Sequence, residues 1–318
     1  MNRILVVRLG AMGDVIHALP AAATLKQGLA PAHLAWAIEP RWTPLLAGNP
    51  YVDEVIEINR REWSSLRTSW ARLRSADWDL AVDLQGLIKS ALVARASGAN
   101  RIAGYAASQV RERAAAGFYT ESHSVKAMHI VDRHLELAQA VGANPSWMEF
   151  RLPAGVVEKR LPEEGFVLAS PFAGWPAKEW PLDNYGRLGG LLRERMGLAL
   201  VLAGHASAAE ALMTVPNTVA HVSSISGLIG ATRQARAVVG VDSGPLHLAA
   251  ALSKPGVAIF GPTDPARNGP YGGSMRILRD PGAQTSYRRR RQVDISMSVI
   301  TPEMVIDAMA HALAESRV

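Results

Sequence analysis

Apolar residues along this chain gather in short dense runs. RILVVRL at residues 3–9, AHLAWAIE at 32–39, VDEVIEI at 52–58 and DLAVDLQG at 79–86 are each separated from the next by helical or irregular stretches. A turn containing Gly10 and Gly13 follows the first run, and a helical pattern extends from Asp14 to about Leu29. Short apolar runs alternating with helices predict a parallel sheet with crossover connections. A polar, Pro- and Gly-bearing stretch near residues 153–165 interrupts the pattern, which restarts with GFVLASPF, LALVLAG, ARAVVGVDSG and PGVAIFGP. Two α/β domains are expected, 1–157 and 158–318. In the second, Leu188, Leu191, Leu192 and Met196 fall on one helix face. A last helix starts at Thr301 with Pro302 in its first position, and its apolar face is Val305, Ala308, Met309 and Ala312. The sequence does not say which domain that helix packs on.

Composition narrows the classes. A chain of 318 residues suits two domains, and 48% hydrophobic with 19% charged residues is globular composition. With no cysteine, disulfides and thiolate metal sites are excluded, leaving His and carboxylates as ligand types. The apolar run between Arg3 and Arg8 is too short for a signal peptide, and no window approaches the ~18 apolar residues of a spanning helix. The expectation is a soluble, cytoplasmic protein. Its formal net charge of +6 favours anionic partners: phosphorylated lipids, nucleotides or nucleic acid.

Several motifs sit where strands end, which in open parallel sheets is where ligands bind. In Gly10-Ala-Met-Gly13-Asp14, the carboxylate either caps the helix or points into the ligand crevice. The loop lacks the G-x-G-x-x-G arrangement and a following acidic ribose partner, so a dinucleotide-binding dehydrogenase is disfavoured. In Asp83-Leu-Gln85-Gly86-Leu-Ile-Lys89, Lys89 either binds an anion or is one more solvated lysine. The loop SPFAGWPAKEWP, residues 170–181, carries Lys178 near a helix start, a phosphate-binding arrangement, or is a structural loop closed by Trp180. In Val241-Asp242-Ser243-Gly244-Pro245-Leu246-His247, Asp242 or Ser243 can cap the helix and Gly244 leaves room for a diphosphate. His247 there donates to a phosphate or packs in a helix face. Phe260-Gly-Pro-Thr-Asp-Pro265 reads as a structural turn. The run Arg288 to Arg291 reads as a solvated face, with anionic lipid contact as the alternative.

Taken together, GAMGDVIHALPA, DLQGLIKSAL, KEWP, VDSGPLHLAAAL and FGPTDP resemble glycosyltransferase family nine, the lipopolysaccharide heptosyltransferases, over nearly the whole chain. INRREW, VREx5FY and HIVDRxxEL are most similar to acceptor-binding segments of its heptosyltransferase I branch. The resemblance implies a GT-B architecture, two Rossmann-like doubly wound domains facing a central cleft, with the acceptor on the first domain and the donor on the second. It implies an inverting, metal-independent transfer of heptose from ADP-heptose to a Kdo sugar of lipid A, with no cofactor and no bound metal. By motif match, Asp14 falls on the family's catalytic base and Lys178 on its phosphate-binding lysine. Gly13, Ala173, Gly174, Ser223, Asp242, Ser243, Gly244, Pro245 and His247 match donor-binding positions, and Arg60, Arg61, Lys89, Arg111 and His129 match acceptor-binding ones. The pattern departs at Ala173 and Gly174, which replace two hydroxyl residues so that backbone groups must substitute. It departs again at Ala208, where a ribose-binding carboxylate is expected and Glu210 lies two residues on.

The implied partners are a nucleotide-sugar donor and a lipopolysaccharide inner-core acceptor, with peripheral contact at the cytoplasmic face of the inner membrane and no nucleic acid. In such a transfer a carboxylate accepts the acceptor hydroxyl's proton, while cations and helix N–H groups stabilise charge on the departing diphosphate. The rival readings are a family-nine transferase with another sugar donor or a protein acceptor, and a non-catalytic protein binding anionic lipid or nucleic acid through its basic surface.

Overall fold

The computed structural model describes residues 3–59 and 63–316. The chain divides into two compact units, Met1–Pro153 and Ala154–Val318, four residues before the boundary read from the sequence.

Unit 1 runs β1 (Arg3–Val7), α1 (Met12–Gly28), β2 (His33–Ile38), β3 (Glu54–Glu57), α2 (Trp63–Arg74), β4 (Leu80–Asp83), α3 (Ile88–Ala96), β5 (Arg101–Tyr105), β6 (Glu121–His123) and α4 (Ile130–Ala140). Its sheet has the order β3-β2-β1-β4-β5-β6 with every pairing parallel. Ile4 to Val7 and Leu80 to Asp83 are fully buried, as expected of strands covered on both faces. Leu5, Val7, Trp78 and Ile102 belong to one core cluster of this unit.

Unit 2 repeats the plan. It contains β7 (Phe166–Ser170), α5 (Leu182–Met196), β8 (Ala199–Gly204), α6 (Ala209–Met213), β9 (Thr218–Val222), α7 (Ile225–Gln234), β10 (Ala237–Val241), α8 (Gly244–Ala251), β11 (Gly256–Phe260), α9 (Pro265–Asn268), β12 (Met275–Arg279), α10 (Ile295–Val299) and α11 (Pro302–Glu315). The order β12-β11-β10-β7-β8-β9, again all parallel, is the doubly wound order of unit 1. These are the paired Rossmann-like domains of the GT-B type.

The last helix is capped as its sequence predicts, the Thr301 hydroxyl accepting from the Met304 N–H at 3.3 Å. It packs within unit 2: Val305, Ile306 and Met309 join Leu188, Leu192, Val257 and Ile259 in one core cluster. Among the described residues no helix is long and apolar enough to cross a membrane.

Candidate functional site

In doubly wound sheets the order reverses between two neighbouring strands, and their carboxyl ends splay to leave a crevice. That switch point lies between β1 and β4 in unit 1 and between β7 and β10 in unit 2. At each, a basic side chain from the segment after one strand reaches the end of the other.

In unit 1, Arg8 directly follows β1 and is buried. One guanidinium nitrogen donates to the Leu84 carbonyl, just past β4, at 2.5 Å, and another pairs with Asp14 Oδ1 at 2.7 Å. The second Asp14 oxygen accepts from the Ala11 N–H at 3.1 Å. This corrects the sequence expectation in one respect. The helix starts at Met12 with Ala11 as an extended N-cap, so Asp14 stands in the first turn and is not the cap. Its side chain remains 46% exposed, and each carboxylate oxygen keeps lone pairs beyond the bonds it accepts, so a substrate hydroxyl can still bind there.

At the end of β4 lies a buried group to which the sequence reading assigned no role. Asp83 accepts from the N–H groups of Gln85 (2.8 Å) and Gly86 (3.3 Å), the Ser90 hydroxyl (2.9 Å) and the Tyr119 hydroxyl (2.8 Å). Burial pushes the Asp83 carboxyl above its ordinary range against these four bonds, and burial with the neighbouring Asp83 charge pushes Tyr119 strongly upward. Gly86 takes a φ of +68°, a conformation that favours glycine and lets the loop fold back over Asp83. The signal was available in the sequence, since a carboxylate at the end of an apolar run must find partners.

In unit 2, Lys178 reaches across the switch point to the end of β10. Its Nζ donates to the Asp242 carbonyl at 2.5 Å and to Asp242 Oδ2 at 3.0 Å, and it lies 4.1 Å from the Trp175 ring centroid. His247 Nε2 stands 3.4 Å from the other Asp242 oxygen. All three side chains are buried. Burial opposes ionisation of Asp242, but the His247 hydrogen bond and the Lys178 charge outweigh it and hold the carboxyl well below the usual carboxylate range. Two expectations are corrected. Lys178 lies in a short 3-10 turn, Pro176–Lys178, ahead of α5, so it does not stand at a long helix's N-terminus. Asp242 is an ion-pair partner and Ser243 is the α8 N-cap, without a side-chain capping bond. Gly244 and Pro245 form the partly open start of α8.

A depressed folded pKa contributes stability that is present above the unfolded value, near 4, and is lost as pH falls toward the folded one. The melting-temperature gap between the parent and Asp242→Asn is therefore expected to be widest at neutral pH and to close on acidification below about pH 5. A gap that stays constant down to pH 3 would contradict stabilisation by the ionised carboxylate.

The remaining predicted positions scatter more widely. Gly13 is buried in the first turn of α1, in unit 1. Ala173 is partly buried and its N–H is committed to Glu179 Oε1 at 3.1 Å, so that backbone donor does not substitute for a lost hydroxyl. Gly174 is exposed, and a Cβ built there meets nothing within 4 Å. Gly174→Ser is therefore expected to change stability by less than about 0.5 kcal/mol, readable in a thermal melt. Ser223 follows β9, the edge strand two places from β7. Lys89 pairs loosely with Glu39 at 3.7 Å, and Arg111 is exposed. His129 is the N-cap of α4, its Nδ1 accepting from Val131 at 3.2 Å, with its ring edge-on to His17. Arg60 and Arg61 lie outside the described residues. The loop is closed by Trp180, as its structural reading expects: the indole is buried, donates to the Ile300 carbonyl at 2.8 Å and packs edge-on against Tyr185. Among the described residues no group of three or more His, Asp or Glu side chains is arranged to hold a metal ion.

Comparison with known proteins agrees with this architecture. Residues 66–296 match the model of glycosyltransferase family 9 (heptosyltransferase). Lipopolysaccharide heptosyltransferase 1 of Pseudomonas aeruginosa is 32% identical over 299 residues, covering 86% of this chain and 82% of that one. Lipopolysaccharide heptosyltransferase 1 of Escherichia coli K12 is 30% identical, covering 88% and 94% respectively. The solved structure of E. coli heptosyltransferase WaaC with ADP-2-deoxy-2-fluoro heptose superposes with a TM-score of 0.77 at 26% identity, covering 97% of this chain and 99% of that one. The chain belongs to glycosyltransferase family 9, the heptosyltransferases, and is a glycosyltransferase.

Proposed function

We propose that this enzyme transfers L-glycero-D-manno-heptose from ADP-heptose to a Kdo residue of the lipopolysaccharide inner core, with inversion and without a metal ion. The observation that carries the reading is the Lys178–Asp242–His247 cluster, which puts a buried ammonium at the switch point of unit 2. An anionic diphosphate is the ligand such a charge favours. The donor's identity rests on likeness to a heptosyltransferase solved with an ADP-heptose analogue, and the acceptor's on relatives named lipopolysaccharide heptosyltransferase 1.

Asp14 acts as the general base. As the acceptor hydroxyl attacks the anomeric carbon, its proton passes to an Asp14 oxygen and the C–O bond to the diphosphate breaks on the opposite face. Arg8 orients that carboxylate through the 2.7 Å pair. Lys178 and His247 offset charge appearing on the diphosphate, the work that a metal ion performs in other transferases. The positions Arg60, Arg61, Lys89, Arg111 and His129 are assigned to the anionic acceptor, and contact with the inner membrane's cytoplasmic face would bring the enzyme to a lipid-anchored substrate.

The test is a mass-spectrometric transfer assay with the purified protein, ADP-heptose and Kdo-lipid A, with and without a chelator. Product of the expected mass in both arms supports the reading. Absence of product, with transfer to another acceptor or from another donor, replaces the substrate assignment. Activity lost to the chelator and restored by a divalent cation refutes the metal-free mechanism.

A further inference from the structure

The run Arg288 to Arg291 is exposed, as a solvated face would be, but its path through the fold is specific. The preceding residues are anchored at the carboxyl end of β11: the Ser286 N–H donates to the Pro262 carbonyl at 2.7 Å, and Arg267 lies over the Tyr287 ring. The following residues are anchored on the 170–181 loop, where the Asp294 N–H donates to the Ala177 carbonyl, next to Lys178, at 3.3 Å. In the sheet, β10 lies between β11 and β7. Lys178, the neighbour of the second anchor, in turn bonds Asp242 at the end of β10. Arg289 comes to 5.6 Å from the Trp175 ring centroid, the same ring that Lys178 faces from 4.1 Å.

We infer that residues 286–294 form a phosphate-binding strap, in which Arg289 joins Lys178 to hold the diphosphate of a nucleoside diphosphate or its sugar conjugate. The inference rests on the donor reading above and adds a residue to it. Charge supports it: the strap and the 170–181 loop bring five cations, Arg288 to Arg291 and Lys178, against Glu179 and Asp294, with Asp242 paired to Lys178. Like charges held together are stabilised by an anion, and a guanidinium's planar fork matches two phosphate oxygens. Polar atoms left without partners lie along the same strand ends. The Thr263 hydroxyl, only 1% exposed and adjacent to the strap's anchor at Pro262, has no hydrogen-bond partner, nor has the Ser243 hydroxyl. Trp175 provides the shared aromatic face between the two cations.

The experiment is calorimetric titration of the full-length parent, Arg289→Ala, the remote exposed control Arg193→Ala and the paired variant Lys178→Met/Asp242→Asn with ADP and AMP. Anionic vesicles of phosphatidylglycerol form a parallel co-sedimentation arm. Arg289 is exposed on a loop, so its variant is expected to melt with the parent. The strap predicts that Arg289→Ala weakens ADP by about 10- to 100-fold and narrows the preference for ADP over AMP, with Arg193→Ala unchanged. If the parent binds ADP and the Lys178 variant does not, while Arg289→Ala binds it like the parent, the strap is refuted and the donor reading stands. A parent that fails to bind ADP removes both. If Arg289→Ala keeps its ADP affinity but loses vesicle binding, the run is a lipid contact and the inference is wrong.

Discussion

Asp14→Asn is expected to leave a folded protein that binds ADP like the parent and transfers sugar 10²- to 10⁴-fold more slowly, the typical contribution of a positioned general base. The substitution keeps the side chain's size but removes the proton acceptor. Asp14 receives hydrogen bonds on both oxygens, from Arg8 and from the Ala11 N–H. Asn offers one oxygen, so one of those bonds is lost. At a half-exposed position water can replace it, and the cost is about 1 kcal/mol. Melting temperature and ADP affinity control for fold and donor site. Turnover within about threefold of the parent would remove Asp14 from the chemistry, because the acid–base range begins well above that.

The second large effect belongs to Lys178. Changing it alone leaves the Asp242 carboxylate buried with its ammonium partner gone, and breaking a buried pair this way costs about 3–5 kcal/mol. For a unit of this size that is a fall in melting temperature of roughly 6–20 °C. Lost ADP binding in Lys178→Ala would therefore be ambiguous. Lys178→Met/Asp242→Asn removes both charges and is expected to recover most of the stability, while ADP affinity stays about 10- to 100-fold below the parent's. Equal losses of stability in the single and paired variants would contradict a coupled buried pair. Parent-like ADP affinity in the paired variant would exclude the ammonium from the donor site.

The strands buried on both faces were readable because such strands are nearly continuous apolar runs. Those the sequence reading did not name have physical reasons for hiding. β6 spans only Glu121–His123, and β9 and β12 are edge strands with partly exposed residues, so none presents a dense run. β5 carries Gly104 as its fourth residue, against which the Tyr119 ring packs so closely that a Cβ would overlap it. The candidate site was legible as motifs at strand ends, but not as pairings. Arg8 and Leu84, or Lys178 and Asp242, stand far apart along the chain and meet only because β1 adjoins β4 and β7 adjoins β10. The start of α1 was misplaced because Ala11, its N-cap, has no side chain that announces one. The Asp14 carboxylate completes that helix end from within the first turn.

The two bonds from Lys178 to Asp242 also bear on how an anion would be received. A lysine ammonium has three N–H donors, so the pair leaves one without a hydrogen-bond acceptor, on an ammonium that also faces the Trp175 ring. A phosphate oxygen arriving at Lys178 would add a third bond without displacing Asp242, and the side chain is already held in one rotamer. Ordering a lysine costs up to about 2 kcal/mol of rotational freedom. Here that loss falls on the folding of unit 2, so an anion bound at Lys178 would meet an ammonium already immobile and the entropy of binding would be correspondingly less unfavourable.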